Sequence, residues 1–166
     1  MDTLRFIPVK THADCHAVEA LAFPIWREHY TPIIGSPQVD YMLNKLQTAH
    51  AVENQIRQGS HYFLLQSPEG ENIGYLSFVL RPAELFLSKL YLRKDYRGQG
   101  WARAALEFMK NLARDKQMNR VTLTVHKQNP SVKVYQALGF EILEPIVTDI
   151  GEGFVMDDYR MGLSLE

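Results

Sequence analysis

The sequence predicts an α/β fold, a mixed, twisted central sheet flanked by helices, and three observations carry that prediction. Helical spacing dominates the first third of the chain, strand alternation takes over in the middle, and the second half interleaves strands with two helices. Strands linked by short turns and strands linked by helices both occur, so parallel and antiparallel neighbours are expected in one sheet. A length of 166 residues suits a single domain spanning residues 1–166. With 46% hydrophobic and 22% charged residues, the chain can bury a core without disulfide or metal staples.

Leu4 to Val9 reads as a first short strand. Asp14 is placed to cap a helix whose apolar face is Cys15, Val18, Leu21, Ala22 and Ile25. Thr31 to Gly35, with Pro32, reads as a break. Ser36-Pro37 then opens a second helix, serine as N-cap and proline at the first position, with Val39, Met42, Leu43 and Leu46 on its apolar face. A third helix is expected from about His50 to Gln58, stopped by Gly59. Tyr62 to Gln66 and Ile73 to Leu80 read as a hairpin around Ser67-Pro68-Glu69-Gly70. Leu85 to Leu92 is the next strand, after Pro82, and the polar loop Arg93 to Gln99 follows. Ala102, Ala105, Leu106, Met109, Leu112 and Ala113 form one helical stripe. Val121, Leu123 and Val125 alternate with threonines in a strand. Asn129-Pro130 opens a helix that ends at Gly139. Phe140 to Leu143 and Tyr159 to Leu165 are the last two strands, and Asp157-Asp158 reads as an interruption, either a solvated bulge or a contact for a cationic amine.

Bulk properties exclude some classes. A net charge of -1 is not that of a nucleic-acid binder. One cysteine permits no internal disulfide and suits a reducing compartment. Met1-Asp2-Thr3-Leu4-Arg5 lacks the basic-then-apolar order of a signal peptide. No apolar run reaches the roughly 18–20 residues a membrane span needs. The expectation is a cytoplasmic protein with no membrane partner. His12, Asp14, Cys15 and His16 do not follow a zinc spacing, so no metal site is expected there.

The chemistry concentrates in Leu90-Tyr91-Leu92-Arg93-Lys94-Asp95-Tyr96-Arg97-Gly98-Gln99-Gly100-Trp101-Ala102-Arg103. A strand runs into a loop with alternate glycines, and the loop opens a helix. The first turn of a helix has unpaired N–H groups and partial positive charge, and glycines let a phosphate approach the backbone. Arg97 and Arg103 add charge. A plain strand–helix connection with solvated arginines fits the same residues. A dinucleotide loop fits less well: Arg103 stands at its third small position, and His126, not an acid, follows Val125.

Taken as a set, these segments resemble the GNAT acetyltransferase superfamily. Arg97-Gly98-Gln99-Gly100-Trp101-Ala102 is similar to its signature Gln/Arg-x-x-Gly-x-Gly/Ala. The approach strand Lys89-Leu90-Tyr91-Leu92 and the block Asn129-Pro130-Ser131-Val132-Lys133-Val134-Tyr135-Gln136-Ala137-Leu138-Gly139-Phe140 are also similar, with order and spacing agreeing over roughly residues 73–144. Trp101 departs from the usual smaller residue. Ser36 to Leu43 and Asp149 to Phe154 resemble a bacterial branch with polyamine-type acetyltransferases.

The resemblance implies an acetyl-CoA-dependent N-acetyltransferase with a V-shaped opening at the fourth and fifth strands. It implies that the backbone of Leu90, Tyr91 and Leu92 pairs with the pantetheine arm. The amides from Gly98 through Gln99, Gly100, Trp101 and Ala102 to Arg103 would hold the pyrophosphate, with Arg97 beside them. Asn129 would contact the cofactor, or serve only as a cap. Tyr135 would protonate the leaving thiolate, which a phenol of pKa about 10 can do without being ionised at neutral pH; a core tyrosine is the other reading. The general base is open among Glu84, Glu28, His29, His61 and a water chain. Phe23, Trp26, Tyr30 and Tyr41, with Glu28 and Asp40, are candidates for an amine-binding wall. The acceptor is a primary amine, with a small amine or polyamine expected, and homodimers are common for the fold. A non-catalytic acyl-CoA-binding module and a protein N-terminal or lysine acetyltransferase are the alternatives.

Overall fold

The computed structural model describes residues 3–165; Met1, Asp2 and Glu166, the first two of which entered the reading of the N-terminus, lie outside them. The elements are β1 (Arg5–Pro8), α1 (His12–Ile34), α2 (Ser36–Leu46), α3 (Ala49–Arg57), β2 (His61–Gln66), β3 (Asn72–Arg81), β4 (Glu84–Leu92), α4 (Trp101–Asp115), β5 (Arg120–His126), α5 (Ser131–Ala137), β6 (Glu141–Gly151) and β7 (Phe154–Ser164). The strands form one sheet in the order β1-β2-β3-β4-β5-β7-β6. Among the described pairings β4–β5 is parallel, while β1–β2, β2–β3, β5–β7 and β6–β7 are antiparallel. This is the mixed sheet expected from the interleaving of turns and helices.

The chain divides into two compact units. The first takes in the chain up to Val79 together with Lys89–Ala105. Its helices cap as their sequences direct, with two adjustments. Thr11, not Asp14, is the N-cap of α1: its Oγ1 accepts the Asp14 N–H at 3.1 Å, and the Asp14 carboxylate accepts the N–H groups of Lys10 and Thr11. Those two backbone bonds hold the Asp14 carboxyl below its ordinary range. Gly35 caps α2, so Ser36 falls inside the helix. The expected break at Thr31 to Gly35 shrinks to Gly35 alone, at φ 85°, whose N–H still bonds the Thr31 carbonyl at 3.0 Å. Pro24 and Pro32 both sit inside α1, because each removes only one rung while the helix goes on burying Val18, Leu21, Ile25 and Trp26. With Val39, Leu43, Val52, Leu65 and Leu76, these residues make the core of this unit.

A polar cluster is buried in the same unit. Lys89 Nζ donates to the Leu46 carbonyl (2.9 Å), Gln55 Oε1 (3.0 Å) and Tyr62 Oη (2.5 Å), and the Tyr62 hydroxyl donates to Gln55 Oε1. The Leu46 carbonyl belongs to the last turn of α2, where free acceptors collect.

The second unit holds Leu80–Ser88 and the chain from Leu106 onward. Leu85, Leu87, Leu106, Met109, Ala113, Val121, Leu123 and Met161 are its buried apolar residues. Here β6 runs to Gly151, well past the expected end at Leu143, and β7 begins at Phe154. The two form a hairpin through Gly151, Glu152 and Gly153, all at positive φ. The longer β6 was hidden because it is an edge strand exposed along nearly its whole length, so polar residues and Pro145 occupy it without apolar alternation. Asp157 and Asp158 are not an interruption: both lie in register, opposite Val147 and Ile146.

Candidate active site

In the first unit the site residues lie along β4 and the segment that leads into α4. Among the described residues the parallel β4–β5 ladder runs from Glu84↔Arg120 to Leu87↔Leu123 and ends there, so Leu90, Tyr91 and Leu92 lie beyond it. Gly74 of β3 backs this stretch. A Cβ built on Gly74 would stand 2.2 Å from the Tyr91 carbonyl oxygen, so only glycine permits the approach. The Tyr91 ring joins a cluster with Trp26 (5.5 Å between centroids), Tyr30 (6.1 Å) and Tyr75 (5.4 Å). Trp26 and Tyr75 are buried, so this wall of aromatic rings is also core.

After a 3-10 turn at Lys94–Tyr96 the chain passes through Gly98 (φ 75°) and Gly100 (φ 88°) into α4. A Cβ on either glycine would meet nothing within 4 Å, so glycine is needed here for backbone conformation and not for crowding inside the protein. Among the described residues the N–H groups from Gly98 to Arg103 have no acceptor in the protein; the first helical N–H to find one is Ala104, on the Gly100 carbonyl at 3.1 Å. Six free donors thus lie at the start of α4, where the helix partial charge is positive. Gln99 and Arg103 are exposed, and Trp101 and Ala102 are part-exposed. This arrangement fits a pyrophosphate. Arg97 serves the loop itself: its Nε donates to the Leu92 carbonyl at 3.0 Å, and its guanidinium pairs with Glu28 at 2.8 Å.

In the second unit, β5 delivers Asn129. Its side chain is buried and its Oδ1 accepts the Ser131 N–H at 2.9 Å, which opens α5. The Asn129 N–H donates to the His126 carbonyl at 2.9 Å. Tyr135 lies in α5, part-exposed, with its ring 5.5 Å from Phe140 at 66°. The Phe140 N–H bonds the Tyr135 carbonyl at 3.0 Å, a wrap allowed by Gly139 at φ 105°. The structure therefore gathers Leu90 to Arg103 in one unit and Asn129 with Tyr135 in the other.

The candidate bases are differently placed. Glu84 is buried, and burial alone would raise its pKa. Hydrogen bonds from Thr122 (2.6 Å) and Arg120 (3.0 Å), with the charges of Arg120 and Arg160, outweigh that and hold it low. Glu84 is thus an ion-pair anchor between β4 and β5. Glu28 is held by Arg97 and Asp40 by Arg27 (2.6 Å), so both acids of the expected amine wall already face a guanidinium. His61 is exposed and stacks on Phe78. Two buried groups stand out: Lys89, not singled out in the sequence, whose pKa burial pushes down to about 7, and Asp158, read in the sequence with Asp157 as a bulge or an amine contact, whose pKa burial pushes up to about 6. Charged residues inside strand patterns read as solvent-facing, and only neighbours from other elements reveal otherwise.

A parallel strand pair that ends early, followed by a glycine loop whose amides open a helix, is the frame of an acyl-CoA N-acyltransferase fold. The model of the Acetyltransferase (GNAT) family matches residues 22–140, and the chain belongs to that family. It is 31% identical over 104 residues to the uncharacterized N-acetyltransferase YdgE of Bacillus subtilis (strain 168), a match that covers 57% of this chain and 66%, just under two thirds, of that relative. The fold is similar to that of the PaiA N-acetyltransferase of Thermoplasma acidophilum in complex with coenzyme A, with TM-score 0.80, 16% identity and 99% of both chains covered. It is also similar to a spermidine N-acetyltransferase SpeG chimera from Vibrio cholerae, with TM-score 0.67, 15% identity, and 98% of this chain and 95% of that one covered.

Proposed function

We propose that this chain is an acetyl-CoA-dependent N-acetyltransferase that acts as one catalytic domain and acetylates a primary amine by direct attack. The observation that carries the reading is the run of N–H groups from Gly98 to Arg103 without protein acceptors, behind two open glycines. Those amides take the pyrophosphate, Arg103 adds charge, and the backbone of Leu90, Tyr91 and Leu92 takes the pantetheine arm. Arg97 acts by holding the loop to Glu28. Asn129 contacts the cofactor as well as opening α5. The thioester supplies an activated acetyl group, and Tyr135 gives the departing thiolate its proton.

The acceptor we favour is a small amine, in particular a polyamine, on the strength of the spermidine-acting fold relative. No helix of the described residues is long and apolar enough to cross a membrane, and we place the protein in the cytoplasm, where its free buried Cys15 stays reduced. The exposed edge strand β6, with Val147 63% exposed, offers a surface for a homodimer.

The test is a melting-temperature shift with acetyl-CoA and with NAD, followed by an amine screen with acetyl-CoA that reads free thiol. Saturating acetyl-CoA at 100 times its dissociation constant should stabilise by about 2.7 kcal/mol. A shift with NAD and none with acetyl-CoA would overturn the reading; turnover of peptides with none of spermidine would overturn the acceptor.

A further inference from the structure

Adjacent acids on β7 are held in opposite ways. The Asp157 carboxylate meets Lys127 Nζ at 3.0 Å. Asp158 points to the other face of the sheet. It is 5% exposed, and among the described residues no hydrogen bond or ion pair reaches its oxygens. Pairing sets Asp158 opposite His126 at the C-terminal end of β5 and opposite Ile146 on β6. The charges around it are committed elsewhere. Arg160, on the same face, reaches Glu84 at 3.8 Å and Glu144 at 3.5 Å. Lys127 is taken by Asp157 and packs on the Tyr159 ring at 5.6 Å. His126 accepts the Gln128 N–H on Nδ1, and burial first of all lowers its pKa, so the ring is neutral near pH 7.

Burying a carboxylate without a cation or donor is costly. Burial, and next the charge of Asp157, push the Asp158 carboxyl up to about 6. A buried acid whose pKa burial displaces is a candidate for a functional group. The same end of β5 leads directly into Asn129 and the helix of Tyr135, since the His126 carbonyl accepts the Asn129 N–H.

We infer that Asp158 is the acceptor's partner: its carboxylate binds the ammonium group of the amine substrate and takes its proton, a role that rests on the acetyltransferase reading above. The ammonium gives one proton to Asp158. The freed nitrogen lone pair forms the C–N bond to the acetyl carbon, and the C–S bond breaks with its electron pair left on sulfur. The thiolate takes a proton from Tyr135, which regains one from the nitrogen as the amide forms. Asp158 returns its proton to solvent, so each turnover releases one proton.

The experiment compares the parent, Asp158→Asn and Asp158→Glu with spermidine and acetyl-CoA from about pH 5 to pH 9, with coenzyme A binding measured for each. The parent should show an acid limb in kcat/KM near the Asp158 pKa. Asp158→Asn should lose that limb and about 100-fold or more of kcat/KM, the usual scale for a positioned proton acceptor, while Asp158→Glu restores part. The Asn variant should also melt higher than the parent above pH 6, since the raised folded pKa makes the parent lose stability as pH rises from the unfolded value through the folded one. A second readout needs no turnover: in carboxyl-labelled protein, spermidine with coenzyme A should lower the midpoint of the Asp158 titration. An Asn variant with parental kcat/KM and pH profile, or a midpoint that spermidine leaves unmoved, overturns the proposal. Absence of coenzyme A binding in the parent instead counts against the acetyl-CoA reading itself.

Discussion

A phenol suits the exit of a thiolate because it stays protonated at neutral pH yet is acidic enough to share its proton. Tyr135→Phe keeps the ring contact with Phe140 and removes the hydroxyl that carries that proton. Turnover should fall by about 10²–10⁴-fold with coenzyme A affinity nearly constant, because the cofactor contacts proposed above are mostly backbone groups. A loss in kcat at constant affinity marks an interaction made in the transition state; a Phe variant with full turnover, where chemistry limits the rate, returns Tyr135 to packing. Tyr135 and Asn129 could be picked out as candidates because each sits in a local pattern, an Asn-Pro turn and a short helix closed by Gly139. Asp158 was visible as an acid in a strand, but its isolation depends on how Lys127 and Arg160 are used, and neither choice is written locally.

The glycine loop can be tested as an element. Gly100 has φ 88° and open space where a Cβ would go, so Gly100→Ala should cost only the left-handed backbone strain, about 1–2 kcal/mol. Coenzyme A affinity should fall by more than that stability loss explains, because the added methyl occupies the approach to the amides. Denaturant unfolding and a binding titration on the same variant separate the two; unchanged affinity would remove the cradle assignment. Elements with strong periodicity, such as α4 and β5, were readable in kind and nearly in bounds. Those with weak periodicity were not: α1 continues through two prolines because its buried face outweighs two lost rungs, and β6 extends to Gly151 because an edge strand needs only one partner.

Stability of the whole molecule should carry the mark of Lys89. Its pKa is about 7 in the fold, against 10.5 for the ordinary side chain, with burial the cause. Between those values the unfolded chain binds a proton that the native state lacks, so this residue makes stability rise with pH from about 7 towards 10.5; on acidification the loss is complete once pH falls below about 7, where both states carry the proton. Lys89→Met should flatten that rise, by a few kcal/mol across the window. The substitution leaves no new orphan acceptor at Leu46 or donor at Tyr62, since Gln55 bonds both. Denaturant unfolding of the two proteins at pH 7 and pH 9 measures the difference; parallel pH dependences would place the charge of Lys89 outside the stability balance.

The sequence by itself determined what depends on near neighbours: the periods of helices and strands, the glycine loop that opens α4, the turn at Asn129, and through them the family. Only the tertiary structure decided which charges are neutralised. Glu28 and Arg97 are 69 residues apart, Glu84 and Thr122 are 38 apart, and Lys89 finds acceptors 43 and 34 residues earlier. Burial raises or lowers a pKa through the dielectric and the partners that packing brings, and those are properties of the folded chain. The same physics leaves Asp158 buried opposite a neutral histidine, while Lys127 pairs with Asp157 and Arg160 with Glu84.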